Sequence, residues 1–324
     1  MGEMVSAVGS LVLLVLGAAL LTVGAEAFAE HIGEAGSRLG VSTLALGVLL
    51  AGAEPEEAVT AMLASGQGHP ALAAGDAIGA NLVMLTLTLG LATLLARPPI
   101  SRRVLEYAAA AALAGALSVL FLWNGVMARA EGSLLVLVYA AGVVWVWRRE
   151  KQPPMIGELS ERPIAAGGSA GARHGEPGRP LLLMLVGLLG MVVGGYLAVR
   201  GAVGLVDLFD ATESVIGLTV LALATSAEMV ALVWATHRRG VPEVVVAGVV
   251  GAVAYNATVS IGLAALVSPI AVGRGSPVLV VGLGCAVLPL LLFTGARGGQ
   301  LPRPLGVALV AAYLMALGWL FGAK

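Results

Sequence analysis

One stretch of this chain occurs twice, and each copy keeps an acidic residue inside an otherwise apolar span. Residues 52–95 read GAEPEEAVTAMLASGQGHPALAAGDAIGANLVMLTLTLGLATLL; residues 224–267 read ATSAEMVALVWATHRRGVPEVVVAGVVGAVAYNATVSIGLAALV. Superposed without a gap, they pair Glu56 with Glu228, Gly68 with Gly240, Pro70 with Pro242, Gly79 with Gly251 and Ala80 with Ala252. A charge at the centre of a bilayer costs about 2.5–3.5 kcal/mol on insertion scales. Two copies of a span that each retain such a group point to a site where the copies meet.

Composition supports the membrane reading. The chain is 59% hydrophobic and 11% charged, against about 25% charged residues in soluble domains. An all-α integral membrane protein follows. The net charge of −1 gives no pull toward nucleic acid. Cys285 is the single cysteine and reads as a small packed hydrophobe, while His31, His69, His174 and His237 form no zinc-hydrolase motif. With no nucleophile–base pairing either, an enzyme is not expected. The N-terminal apolar stretch lacks the basic flank of a signal peptide and is read as a membrane helix.

Spanning helices need about 20 apolar residues, and ten stretches qualify, at approximately 5–26, 37–64, 70–96, 104–124, 132–148, 180–203, 212–236, 243–268, 275–295 and 304–322. Between the fifth and sixth the sequence turns rich in Gly, Pro and charge. We therefore divide the chain into a five-helix repeat over 1–148, a flexible linker over 149–179 and a second five-helix repeat over 180–324. An odd number of spans per half makes the second copy enter the membrane from the opposite side, so the repeats are inverted. One set of loops collects fourteen of the 18 Lys and Arg residues. By the positive-inside rule the linker is then cytoplasmic and both termini are outside, in a cell (inner) membrane.

The polar groups within the spans are oxygen donors. The second span carries Glu54, Glu56 and Glu57 around Pro55, a residue that removes a backbone donor and frees carbonyl oxygens. The seventh carries Thr225, Ser226 and Glu228 at the equivalent place, the third Asp76 and Asn81, and the eighth Asn256, Thr258 and Ser260. Carboxylates, hydroxyls and loosened carbonyls suit a hard cation such as calcium, sodium or magnesium. Purely structural roles compete with this reading. Glu54 and Glu57 have no acidic repeat partner and could face water, Asp76 could serve its helix dipole, and Asn81 and Asn256 could be interhelical glue. Glu26, Glu30 and Glu34 read as a solvated loop edge.

These motifs resemble the alpha-repeats of the calcium/cation antiporter superfamily, the sodium/calcium and proton/calcium exchangers. A G-[TN]-[SA]-x-(P)-E type motif becomes GAEPE (Gly52 to Glu56) and ATSAE (Ala224 to Glu228). The G-N-x-x-G-[SA]-N type motif becomes GDAIGAN (Gly75 to Asn81) and AGVVGAV (Ala247 to Val253). The resemblance implies that Glu56 and Glu228 are the central metal-binding acids, with Thr225, Ser226, Asn256 and Asn81 supplying further ligands. Ala53 and Glu54 stand where a hydroxyl pair is common, and Met84 stands opposite Asn256. It further implies exchange of Ca2+, or a similar cation, for Na+ or H+ by alternating access in the lipid bilayer; no resident cofactor is expected, and the sequence does not give an oligomeric state. The rival expectations are a cation channel or leak pathway, selected by its acids, and a non-transporting membrane ion sensor or scaffold.

Overall fold

The computed structural model describes residues 2–38, 54–150, 179–239, 242–295 and 298–322. Ten helices follow in chain order. They are α1 (Gly2–Arg38), α2 (Pro55–Gly66), α3 (Pro70–Ala96), α4 (Arg102–Leu122), α5 (Arg129–Glu150), α6 (Arg179–Phe209), α7 (Glu213–Arg238), α8 (Glu243–Val267), α9 (Pro277–Thr294) and α10 (Arg303–Gly322). Nine are long and apolar enough to cross a bilayer. For the expected span 37–64, only the parts up to Arg38 and from Glu54 onward are described; of the expected linker at 149–179, residues 149–150 and Arg179 belong to the flanking helices, and 151–178, like 39–53, lie outside the described residues. The protein is an all-helical, multi-pass membrane protein.

Its surface and interior reverse the usual soluble pattern. Leu113, Leu137, Leu314 and Met315 are exposed, whereas Glu56, Glu57, Asp76 and Asn256 are buried. Lipid tails accept the exposed apolar side chains, and helix association then rests on close packing and interhelical hydrogen bonds. The most enclosed helices are α8 and α3, with 83% and 78% of their most apolar window buried; α5 and α10 have 17% and 22% and form the rim. Asp76 and Asn256 sit on these two innermost helices.

Inversion of the repeats is visible in α1 and α6, the first helices of the two halves. They run antiparallel, with Gly24 against Gly187, Gly17 against Gly194 and Leu14 against Gly201. A Cβ on Gly194 would lie 2.6 Å from the Leu21 backbone nitrogen, and one on Gly24 2.6 Å from that of Met191. Only glycine allows the two backbones this near. The pair touches the other helices chiefly through α2 and the first half of α7.

Two short extended clips tie the halves together. Val126–Met127 (β1), between α4 and α5, pairs antiparallel with Ile270–Ala271 (β2), between α8 and α9. Pro99, between α3 and α4, pairs with Gln300, between α9 and α10. One clip lies beyond the end of α4 and the other before its start, so they occupy opposite faces of the membrane. Exchanging the repeats converts one pairing into the other, as inverted copies require. Gly125 makes the first clip possible: its φ is +89°, and a Cβ there would press to 2.9 Å from the Gly273 carbonyl carbon.

One expectation needs correction. The segment holding Glu26, Glu30 and Glu34 is not a loop edge, because α1 continues unbroken to Arg38. Ala and Glu between 25 and 35 are strong helix formers, and no proline or cap stops the helix at its last apolar turn. Glu26 and Glu30 are indeed exposed, on the helix surface.

Candidate functional site

The site begins with two broken helices. Glu54 precedes α2 with φ −111° and ψ 83°, outside helical geometry, and Pro55 opens the helix. At the matching point of the second repeat, α7 is interrupted at Ser226, with φ −89° and ψ 8°. Alanine follows Ser226, so this break forms without a proline. Both breaks place short polar segments at the meeting point of the repeats. Helices α3 and α8 answer them with matched π-turns, at Val83–Thr88 and Asn256–Ser260. Such turns shift the backbone hydrogen-bond register and gather at functional positions.

Across this meeting point, acids of the first repeat face neutral donors of the second. The Thr225 hydroxyl donates to Asp76 Oδ1 at 3.2 Å, and Ser226 to Glu57 Oε1 at 3.3 Å. The Asn256 amide donates to Glu54 Oε2 at 3.4 Å and is itself oriented by Ser260, which donates to Asn256 Oδ1 at 2.9 Å. Glu56 is the exception, because its side chain hydrogen-bonds that of Glu228. Two carboxylates at that range repel unless a proton or a cation sits between them. Glu54, Glu56 and Asp76 all lie near enough for their charges to act on Glu57. Five carboxyl groups thus gather in one place, four of them from the first repeat.

No Arg, Lys or His is among the buried described residues. Uncompensated buried charge is costly by several kcal/mol per ion, so this cluster takes up either protons or mobile cations. Glu57 Oε2 and Asp76 Oδ2 are buried and have no protein hydrogen bond. They are hard oxygen donors of the kind calcium and sodium prefer. Among the described residues no group of three His, Cys, Asp or Glu side chains forms a ready metal cage. The acids are instead shared out among hydroxyl and amide partners.

Of the residues singled out from sequence, Glu54, Glu56, Glu57, Asp76, Thr225, Ser226, Asn256 and Glu228 converge. Glu57 does not face water, being 1% exposed, and Asp76 lies beyond the first turn of α3, fully buried. Asn81 is placed differently: its amide donates to the Val253 carbonyl at 3.3 Å rather than to an acid. Met84 is buried in the apolar core. An aromatic pair adjoins the cluster, with Tyr139 and Tyr255 edge to face at 5.5 Å and both within electrostatic reach of Glu54. Tyr255 directly precedes Asn256, and that adjacency is the one signal the sequence offered for it. Thr60, buried one turn beyond Glu56, gave none.

Sequence comparison decides the family. The model for "Sodium/calcium exchanger protein" matches residues 6–148 and 179–322. The chain belongs to the sodium/calcium exchanger protein family. Members of this family are transporters, and its two matched blocks flank the segment read as a linker. A relative, the inner membrane protein YrbG of Escherichia coli, is 27% identical over 301 residues, covering 87% of each protein. The putative antiporter CaxA of Alkalimonas amylolytica is 28% identical, covering 90% of this chain and 89% of that one. Among solved structures, the sodium-calcium exchanger NCX_Mj soaked with Na+ and Sr2+ superposes with a TM-score of 0.57 at 21% identity, over 98% of this chain and 97% of the other. That superposition establishes the exchanger fold of two inverted five-helix repeats.

Proposed function

We propose that this chain is a secondary-active antiporter that exchanges Ca2+, or a similar cation, for Na+ or H+ at the carboxylate cluster. The observation that carries this reading is the gathering of five carboxyl groups, with no buried base among the described residues, where two inverted repeats meet. Family membership, a relative described as a putative antiporter and the exchanger fold support it.

In this reading Glu56 and Glu228 neutralise one divalent ion. Glu54, Glu57, Asp76, Thr225, Ser226 and Asn256 offer further oxygens, and Asn81 joins them from α3. A proton held between Glu56 and Glu228 leaves when the cation enters, so the two occupants exclude each other. Two sodium ions would do the same. The emptied, multiply charged cluster is too costly to carry between inward-facing and outward-facing states, which makes the exchange obligatory. The membrane is the cell's inner membrane, with the 149–179 linker on the cytoplasmic side. A channel would conduct through a continuous pore and has no need of inverted repeats.

Equilibrium binding of radioactive calcium to the purified protein tests the shared site. Added sodium or acid should displace calcium competitively, raising its apparent Kd without lowering the number of sites. Displacement by neither, at full calcium occupancy, would remove the shared-site mechanism.

A further inference from the structure

Between α3, α4, α8 and α9 lies a cavity of about 10 Å³, the room of about one water molecule. Two of its lining side chains carry a buried oxygen atom without a hydrogen-bond partner: Asn81, through Oδ1, and Ser118, through Oγ. The remaining lining is small or apolar, including Gly115, Val253 and Gly282. Cys285 also lines it, with its Sγ donating to the Ile78 carbonyl at 3.8 Å. Leaving two such polar atoms dry is expensive, and the strain is relieved if one molecule satisfies both.

We infer that a single buried water joins Asn81 Oδ1 to Ser118 Oγ, which makes Ser118 a positioning residue for Asn81. A cation does not fit the same cavity. No carboxylate lines it, and two oxygens fall far short of the six to eight that calcium takes. Water needs only two to four partners and loses little by being held. The amide of Asn81 is then fixed at both ends. Its NH2 holds the Val253 carbonyl, just before the π-turn of α8, and its oxygen holds α4 through the water. Ser118 thereby sets where Asn81 holds α8 ahead of the π-turn whose Asn256 bonds Glu54, without touching a cation itself.

This inference uses the reading of Asn81 as part of the cation site, and a mutant cycle separates the two. Ser118→Ala should raise the half-saturating calcium for exchange in vesicles by about threefold to tenfold, with the maximal rate held within about twofold. Ser118→Thr should restore it. In an Asn81→Ala background, Ser118→Ala should cost nothing more. An equal cost in both backgrounds, or no cost in the parent protein, overturns the link. If Asn81→Ala leaves exchange unchanged, the reading of Asn81 as a ligand fails on its own. The link is then decided by melting temperatures of the same four proteins. Coupled losses, smaller in the double variant than the sum of the singles, uphold the bridging water; additive losses refute it.

Discussion

Glu56→Gln and Glu228→Gln should each abolish exchange while leaving a folded protein. Glutamine keeps the volume but removes one negative charge from an acid pair that spans the two repeats. With a divalent cation bound, losing one of the two compensating carboxylates costs about 3–5 kcal/mol, or roughly two to three and a half decades of affinity. The unoccupied protein should melt at the same temperature or higher, because a like-charged contact has been relieved. Exchange at more than about a tenth of the parent rate in both variants would remove this pair from the centre of the mechanism. The neighbouring acids give an internal comparison: Glu54 and Glu57 are held by Asn256 and Ser226, so their replacement also strips a partner from a neutral donor.

The second large effect is on the fold. Gly194→Leu should separate α1 from α6, because even its Cβ would stand 2.6 Å from the Leu21 backbone nitrogen and 2.8 Å from the Gly17 carbonyl oxygen. Backbone cannot turn aside as a flexible side chain would. Overpacking of this kind costs about 3 kcal/mol or more, a fall in melting temperature of about 4 °C or more for a chain of this size. Gly142→Leu is the control, since a Cβ there meets nothing within 4 Å. Thermal unfolding and size-exclusion profiles in detergent should show a destabilised or aggregated Gly194→Leu beside a normal Gly142→Leu. Equal stability of the two would mean that the α1–α6 pair is not held by glycine contact.

The repeated architecture was legible because membrane residence leaves a strong trace. Apolar spans, an odd count per half and a paired acid suffice to predict inversion, and the antiparallel α1–α6 contact shows it directly. Gly17 and Gly24 on one helix and Gly187, Gly194 and Gly201 on the other recur at seven-residue spacing, a seam the sequence carries but the span count passes over. The partners of the acids were not legible. Asp76 meets Thr225 from 149 positions away, and Asn256 meets Glu54 from 202 away; no local pattern encodes such pairings. Glu57 could have faced water on sequence grounds, because its repeat counterpart is Met229 and only the packing of α2 buries it. The break at Ser226 has no proline to announce it, and the π-turns have no compositional mark. Asn81 and Asn256 look alike in the sequence, yet one binds a backbone carbonyl and the other an acid. That difference comes from where α8 presents the Val253 carbonyl to α3.

The most direct test of antiport is calcium movement into vesicles containing the purified protein, under an outward sodium gradient, an outward proton gradient, or neither. An antiporter accumulates calcium only when a counter-ion leaves, and the gradient that drives uptake names that ion. Equal uptake with no gradient of either kind would contradict obligatory exchange and show a leak pathway instead.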